Sequence, residues 1–281
     1  MAGSIVKWFV PYVLLASLNY PIAKDGLNYS SPFLFMAMRY ILAAGILIAI
    51  GRRLVIKRGT VILGLVASIS TFFWILGLGI ISPGDSAVLS YTMPLFAIPL
   101  AVLLLKERPM LLEVAGALVG FAGVAVYSIT LSHGSLVSGL VFTLINAFFW
   151  GAYSVYLRRL KAEDPISVLG TMFLVGSNPL LLASGFDLRL NVTPEFIFDL
   201  SYMSVLGGAV QLFLWNSMLR VERVGRLTTM AFAVPATAVA IQSIESYAFP
   251  ALASIVGASL MFLGIYMANR NRFGVKLNTE R

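Results

Sequence analysis

Apolar stretches of about twenty residues follow one another along this chain, each closed by a short polar or Gly/Pro cluster. Each is long enough to cross roughly 30 Å of hydrocarbon. The pattern predicts ten helical spans. The first five lie near Trp8–Leu27, Phe33–Ile50, Val61–Ile80, Gly84–Leu104 and Met110–Ile129. The second five lie near Ser135–Leu157, Ile166–Phe186, Phe196–Leu219, Arg226–Ile244 and Phe249–Ala268. Connections are short, so no soluble domain fits between spans. The run SYTMPLFAIPL, residues 90–100, departs from the pattern by setting Tyr91, Thr92, Pro94 and Pro99 inside an apolar segment.

Composition sharpens this reading to a polytopic all-α membrane protein. Of 281 residues, 59% are hydrophobic and 11% charged, with a mean hydropathy of +0.91, against about 25% charged residues in a soluble domain. The first apolar run is too long for a signal peptide and shows no small-residue cleavage site, so it is expected to be retained as a span.

The formal net charge of +8 would suit nucleic acid, but the basic residues sit in the short loops and read as topology signals. One face gathers Lys7, Arg52, Arg53, Lys57, Arg58, Lys106, Arg108, Arg158, Arg159, Lys161, Arg220, Arg223, Arg226 and the tail Arg270, Arg272, Lys276 and Arg281. The opposite face keeps Lys24 and Arg189, and Arg39 falls inside a span. Both termini are therefore expected in the cytoplasm, in a multi-pass plasma-membrane protein with the bilayer as partner and no nucleic acid.

Shifting the chain against itself by 141 residues superposes Pro94 on Pro235, Pro109 on Pro250, Gly116 on Gly257, Gly123 on Gly264, Gly84 on Gly225 and Trp74 on Trp215. This divides the chain into residues 1–130 and 131–270 as two five-span repeats, with 271–281 as a cytoplasmic tail. An odd number of spans per copy inverts the second copy in the bilayer. Inverted repeats build transporters whose site lies at the midplane between halves, flanked by helices interrupted at corresponding positions. Pro94 and Pro235 are the matching interruptions and the hinge candidates, with a packing kink as the competing account.

Counting inward at about 1.5 Å per residue places Asn19, Asn146, Asn178 and Gln211 near mid-depth, accompanied by Trp74, Trp150, Trp215, Tyr91 and Tyr153. Buried amides must face other helices or a cavity. The indoles lie too deep for the interfacial belt and offer stacking surfaces. Plain interhelical bonding and space filling compete at each position. Arg39, about 9 Å from its span's start, either anchors a substrate carboxylate or phosphate or snorkels to headgroups.

No Asp or Glu is expected at mid-depth, which weighs against export of permanent cations coupled to a membrane carboxylate. With no cysteine and one histidine, His133, in a loop, the chain lacks the equipment of an intramembrane enzyme. No metal site or cofactor is expected. Gly116, Gly120 and Gly123, with Gly257 and Gly264, permit close helix contact. That contact is expected within one subunit, favouring a monomer, with a dimer as alternative.

Two inverted five-span repeats, the first closed by LKERPMLLEVAGALVGFAGV, resemble the EamA-type drug/metabolite transporter superfamily. Glu107, Arg108, Gly116 and Gly123 carry the resemblance. It implies a central cavity walled by spans 1–4 and 6–9, with spans 5 and 10 outside. The small four-span relatives couple to protons through a first-helix glutamate; Asn19 occupies the corresponding region here, so that mechanism is not carried over. The expected function is transport of a small polar or amphipathic metabolite, with amino acids, aromatic or otherwise amphipathic, favoured, by alternating access through a central cavity. A multidrug or lipophilic-cation exporter is the alternative, and a structural or lipid-binding role a further one.

Overall fold

The computed structural model describes residues 2–128, 137–245 and 251–277. His133, Pro250, Arg281, the expected span limits Ile129, Ser135 and Phe249, and the boundary at 130/131 lie outside them. Helices run as α1 Ala2–Tyr29, α2 Pro32–Gly51, α3 Arg58–Ile80, α4 Pro83–Ser90, α5 Pro94–Leu105 and α6 Leu111–Ser128. They continue as α7 Val137–Arg159, α8 Pro165–Ser184, α9 Pro194–Ser204, a π-helical turn Val205–Val210, α10 Gln211–Val221, α11 Val224–Met230, α12 Ala233–Glu245 and α13 Leu252–Leu277. Among the described residues, eight helical stretches have the length and hydropathy to cross a membrane, and Leu111–Tyr127 is a shorter apolar helix.

Helix starts follow the punctuation in the sequence. Pro32, Pro83, Pro165 and Pro194 occupy the first turns of α2, α4, α8 and α9, where a missing N–H costs nothing. Ser82, Asp164 and Thr193 cap three of these helices by accepting from the backbone N–H three residues on. α2 and α5 stop at Arg52 and Lys106, each at φ 55° in the left-handed region. α13 continues through Leu277 instead of ending near Ala268, so the segment expected as a tail is helical to that point; no proline stops it.

Two expected spans are broken. α4 and α5 are separated by Tyr91–Met93, and α11 and α12 by Ala231 and Phe232. Pro94 opens α5 and Pro235 is the third residue of α12; both are buried. At the first break the Thr92 hydroxyl donates to Leu89 O at 2.8 Å. At the second, Val234 N donates to Ala231 O at 2.9 Å, the carbonyl that Pro235 cannot serve. Ser90 O, the carbonyl that Pro94 cannot serve, accepts instead from Met93 N at 3.4 Å.

The most extensive helix pairing is α6 against α13, followed by α2 against α8 and α3 against α7. A Cβ on Gly116 would lie 2.5 Å from Gly264 O, and one on Gly123 would lie 2.6 Å from Gly257 O. The 141-residue shift exchanges these two contacts. The glycine stripes of α6 and α13 therefore meet within one chain.

The loops rich in Lys and Arg come together at one end of the bundle. There Arg223 pairs with Glu113 at 2.5 Å, Arg158 with Glu107 at 3.6 Å and Lys57 with Glu163 at 2.5 Å. At the opposite end Ser31 N donates to Arg189 O and Asn191 N to Tyr29 O, while Lys24 Nζ donates to Leu78 O at 2.6 Å.

Candidate functional site

Three helices offer polar and aromatic stripes at helical spacing. α3 contributes Ala67, Ser70, Thr71 and Trp74; α7 contributes Asn146, Trp150 and Tyr153; α1 contributes Ala16, Asn19 and Tyr20. Residues three, four and seven apart share a helix face, and these faces converge with Arg39 and Tyr40 of α2, Ser90 and Tyr91 at the α4–α5 break, Phe173 of α8 and Gln211 of α10. They line a cavity of about 80 Å³. A single water needs about 10–15 Å³ on this measure, so several fit.

Eight sequence candidates line this space: Asn19, Arg39, Trp74, Tyr91, Asn146, Trp150, Tyr153 and Gln211. Trp215 stands behind the wall, stacked on Tyr12 at 4.9 Å and Trp150 at 6.4 Å. Asn178 is a correction. It is exposed on the outer side of α8 and donates to Leu174 O at 3.0 Å and Val175 O at 3.3 Å. Pro179 has no N–H for Val175 O, and the Asn178 amide takes its place.

A π-helical turn missing from the sequence expectation shapes one wall. Within the π-helical turn Val205–Val210, the Gly207 carbonyl meets donors of α1 and α2. Gly207 O accepts from Asn19 Nδ2 at 3.2 Å and Arg39 Nη2 at 2.9 Å, and Met203 O accepts from Arg39 Nε at 2.9 Å. Asn19 Nδ2 also donates to Gln211 Oε1 at 2.9 Å. Arg39 is 6% exposed, so it does not snorkel. Its guanidinium stands 5.7 Å from the centre of the Trp74 ring.

A second network ties the halves across the broken helix. Ser70 Oγ donates to Asn146 Oδ1 at 2.8 Å, and Asn146 Nδ2 donates to Ser90 Oγ at 2.9 Å. The Tyr12 and Tyr91 hydroxyls lie 3.2 Å apart, and Tyr40 bonds Thr71 at 2.7 Å. Trp150 and Tyr153 stack at 4.9 Å and 9°. Trp150 and Tyr153 line the cavity, with Trp215 and Tyr12 stacked behind them.

Three buried polar atoms of lining residues have no hydrogen-bond partner: Asn19 Oδ1, Trp74 Nε1 and Tyr153 Oη. The repeat mate of Trp74 differs, because Trp215 Nε1 donates to Ser154 Oγ at 3.1 Å. No Asp or Glu lines this cavity. A second, open groove of about 540 Å³ between α1 and α9 carries Asp25, Glu195 and Asp199 instead. Among the described residues no cluster of His, Cys, Asp or Glu has the arrangement to hold a metal ion.

Sequence reasoning missed Tyr12, Tyr20, Tyr40, Ser70, Thr71, Ser90 and Gly207. The Gly207–Gly208 pair inside a predicted span was the available sign of irregular winding. Ser90, Tyr20 and Tyr40 each adjoin a residue already singled out.

The profile of the EamA-like transporter family matches residues 4–129 and 137–270. An uncharacterized transporter of Acidianus ambivalens is 41% identical over 83% of this chain and 92% of its own length. A protein of Salmonella typhimurium named a probable amino-acid metabolite efflux pump is 23% identical over 94% of this chain and 93% of its own. A crystal structure with 21% sequence identity shares the fold at a TM-score of 0.79, covering 95% of this chain and 96% of that one.

Proposed function

Because this chain belongs to the EamA-like transporter family, we propose that it carries small polar or amphipathic metabolites, aromatic and other amphipathic amino acids foremost, by alternating access through the central cavity. It is an integral membrane protein. In this reading ten spans form two inverted five-helix repeats, residues 1–130 and 131–270, with cytoplasmic termini in the plasma membrane.

The observation that carries the reading is the central cavity, where polar and aromatic stripes of α1, α3 and α7 meet beside a broken helix. Neutral amides and hydroxyls orient a polar substrate, while Trp150, Tyr153 and Trp74 present faces and edges to an apolar side chain. In this reading loading and release follow from the halves parting on one side and then the other. Breaks at Tyr91–Met93 and Ala231–Phe232 supply the flexible points, and the α6–α13 glycine seam supplies a fixed axis. The Salmonella relative's name supports amino-acid cargo.

Counterflow in proteoliposomes tests this. Purified protein with internal unlabelled amino acid should accumulate the same labelled amino acid, whereas no exchange across a panel of amino acids and related metabolites contradicts the reading.

A further inference from the structure

Arg39 is a full positive charge inside a span, and among the described residues no carboxylate pairs with it. Its named partners are the carbonyls of Met203 and Gly207 at 2.9 Å and the thioether of Met36, a weak acceptor, at 3.7 Å from Nη1. A guanidinium offers five N–H donors, so donors remain after these bonds. Carbonyl dipoles and the Trp74 ring face stabilise a cation without neutralising it. None of the other residues lining the cavity is charged.

One unpartnered atom completes the pattern. Trp74 Nε1 is a buried donor without a partner, on the indole whose ring lies 5.7 Å from the Arg39 guanidinium. Asn19 is held beside Arg39 because both donate to Gly207 O. The site thus offers a cation with spare N–H groups and an indole donor beside it. These are complementary to a carboxylate.

We propose that Arg39 is the anion anchor of this cavity, so that the cargo binds as a carboxylate against the guanidinium and Trp74 Nε1. Zwitterionic amino acids and organic carboxylates fit; amines that lack the carboxylate do not, since they would place a second cation beside Arg39. This inference rests on the carrier reading and specifies its substrate class.

The test is binding to purified full-length protein, followed by indole fluorescence and by unfolding temperature. The probes are L-phenylalanine, 3-phenylpropanoate, L-phenylalaninamide and 2-phenylethylamine, with leucine, 4-methylpentanoate and leucinamide as the aliphatic series. Wild-type protein should bind the carboxylates at least about tenfold more tightly than the matched amide or amine. Arg39→Gln should erase that preference, Arg39→Lys should keep part of it, and Trp74→Phe should weaken the carboxylates alone. Should Arg39→Gln fail to fold, the wild-type series and Trp74→Phe still decide. Equal or tighter binding of the amide and amine overturns the anchor while leaving the carrier reading intact. Absence of binding by every probe, with no exchange in proteoliposomes, overturns both.

Discussion

The Asn19 amide and the Gly207 backbone approach so closely that a Cβ on Gly207 would lie 1.9 Å from Asn19 Oδ1. Only glycine fits there while Asn19 keeps its bonds to Gly207 O and Gln211 Oε1. Gly207→Ala is therefore expected to swing the Asn19 amide out of place, at a cost of about 1–3 kcal/mol, and to lower transport severalfold. Adding Asn19→Ala should recover part of the stability, because the colliding group is gone. Non-additive unfolding midpoints across this double-mutant cycle are the expected result.

Trp74 and Trp215 coincide under the repeat shift yet differ in their N–H groups. Trp215 Nε1 donates to Ser154, whereas Trp74 Nε1 has no partner. Ser154→Ala should strand a buried donor and destabilise the fold by about 1–3 kcal/mol. Trp74→Phe strands no partner, so the stability it loses comes from the smaller ring alone, while substrate affinity falls. Paired thermal unfolding and binding measurements on these variants check the asymmetry.

Asp164 lies at the basic end, outside the spans, and caps α8 by accepting from Ser167 N at 2.8 Å and Ser167 Oγ at 2.7 Å. Burial opposes its ionisation, but these bonds together with Arg53 and Arg220 outweigh it and hold its carboxyl below the usual range. A carboxylate depressed in the folded state contributes stability above its unfolded value, roughly pH 4, and loses it as pH falls through the folded value. Asp164→Ala should cost about 1 kcal/mol at neutral pH. The gap between variant and wild type should narrow on acidification below about pH 4.

Much of the site was legible because membrane burial makes polar side chains expensive. Asn19, Asn146 and Gln211 stood out against apolar surroundings and line the cavity. Pro94 and Pro235 stood out by their correspondence, and both adjoin real breaks. Asn178 misled for a local reason, since an amide just before a proline can serve its own helix. The π-helical turn left only a glycine pair as its trace, and the donors that meet its Gly207 carbonyl, Asn19 and Arg39, are far away in sequence. Tyr12, Tyr20 and Tyr40 were hidden by their chemistry. Phenols are apolar enough to pass as packing residues until the fold shows where their hydroxyls point.

The central claim is that cargo passes through the cavity lined by Ser70, Asn146 and Trp74. The wild-type chain has no cysteine, so a thiol reagent leaves it untouched and Ser70→Cys creates a single target inside the cavity. In proteoliposomes the Ser70→Cys protein should exchange amino acid until a charged methanethiosulfonate is added, then lose exchange, with excess substrate slowing the loss. Exchange that continues after complete modification of the introduced thiol would contradict a route through this cavity.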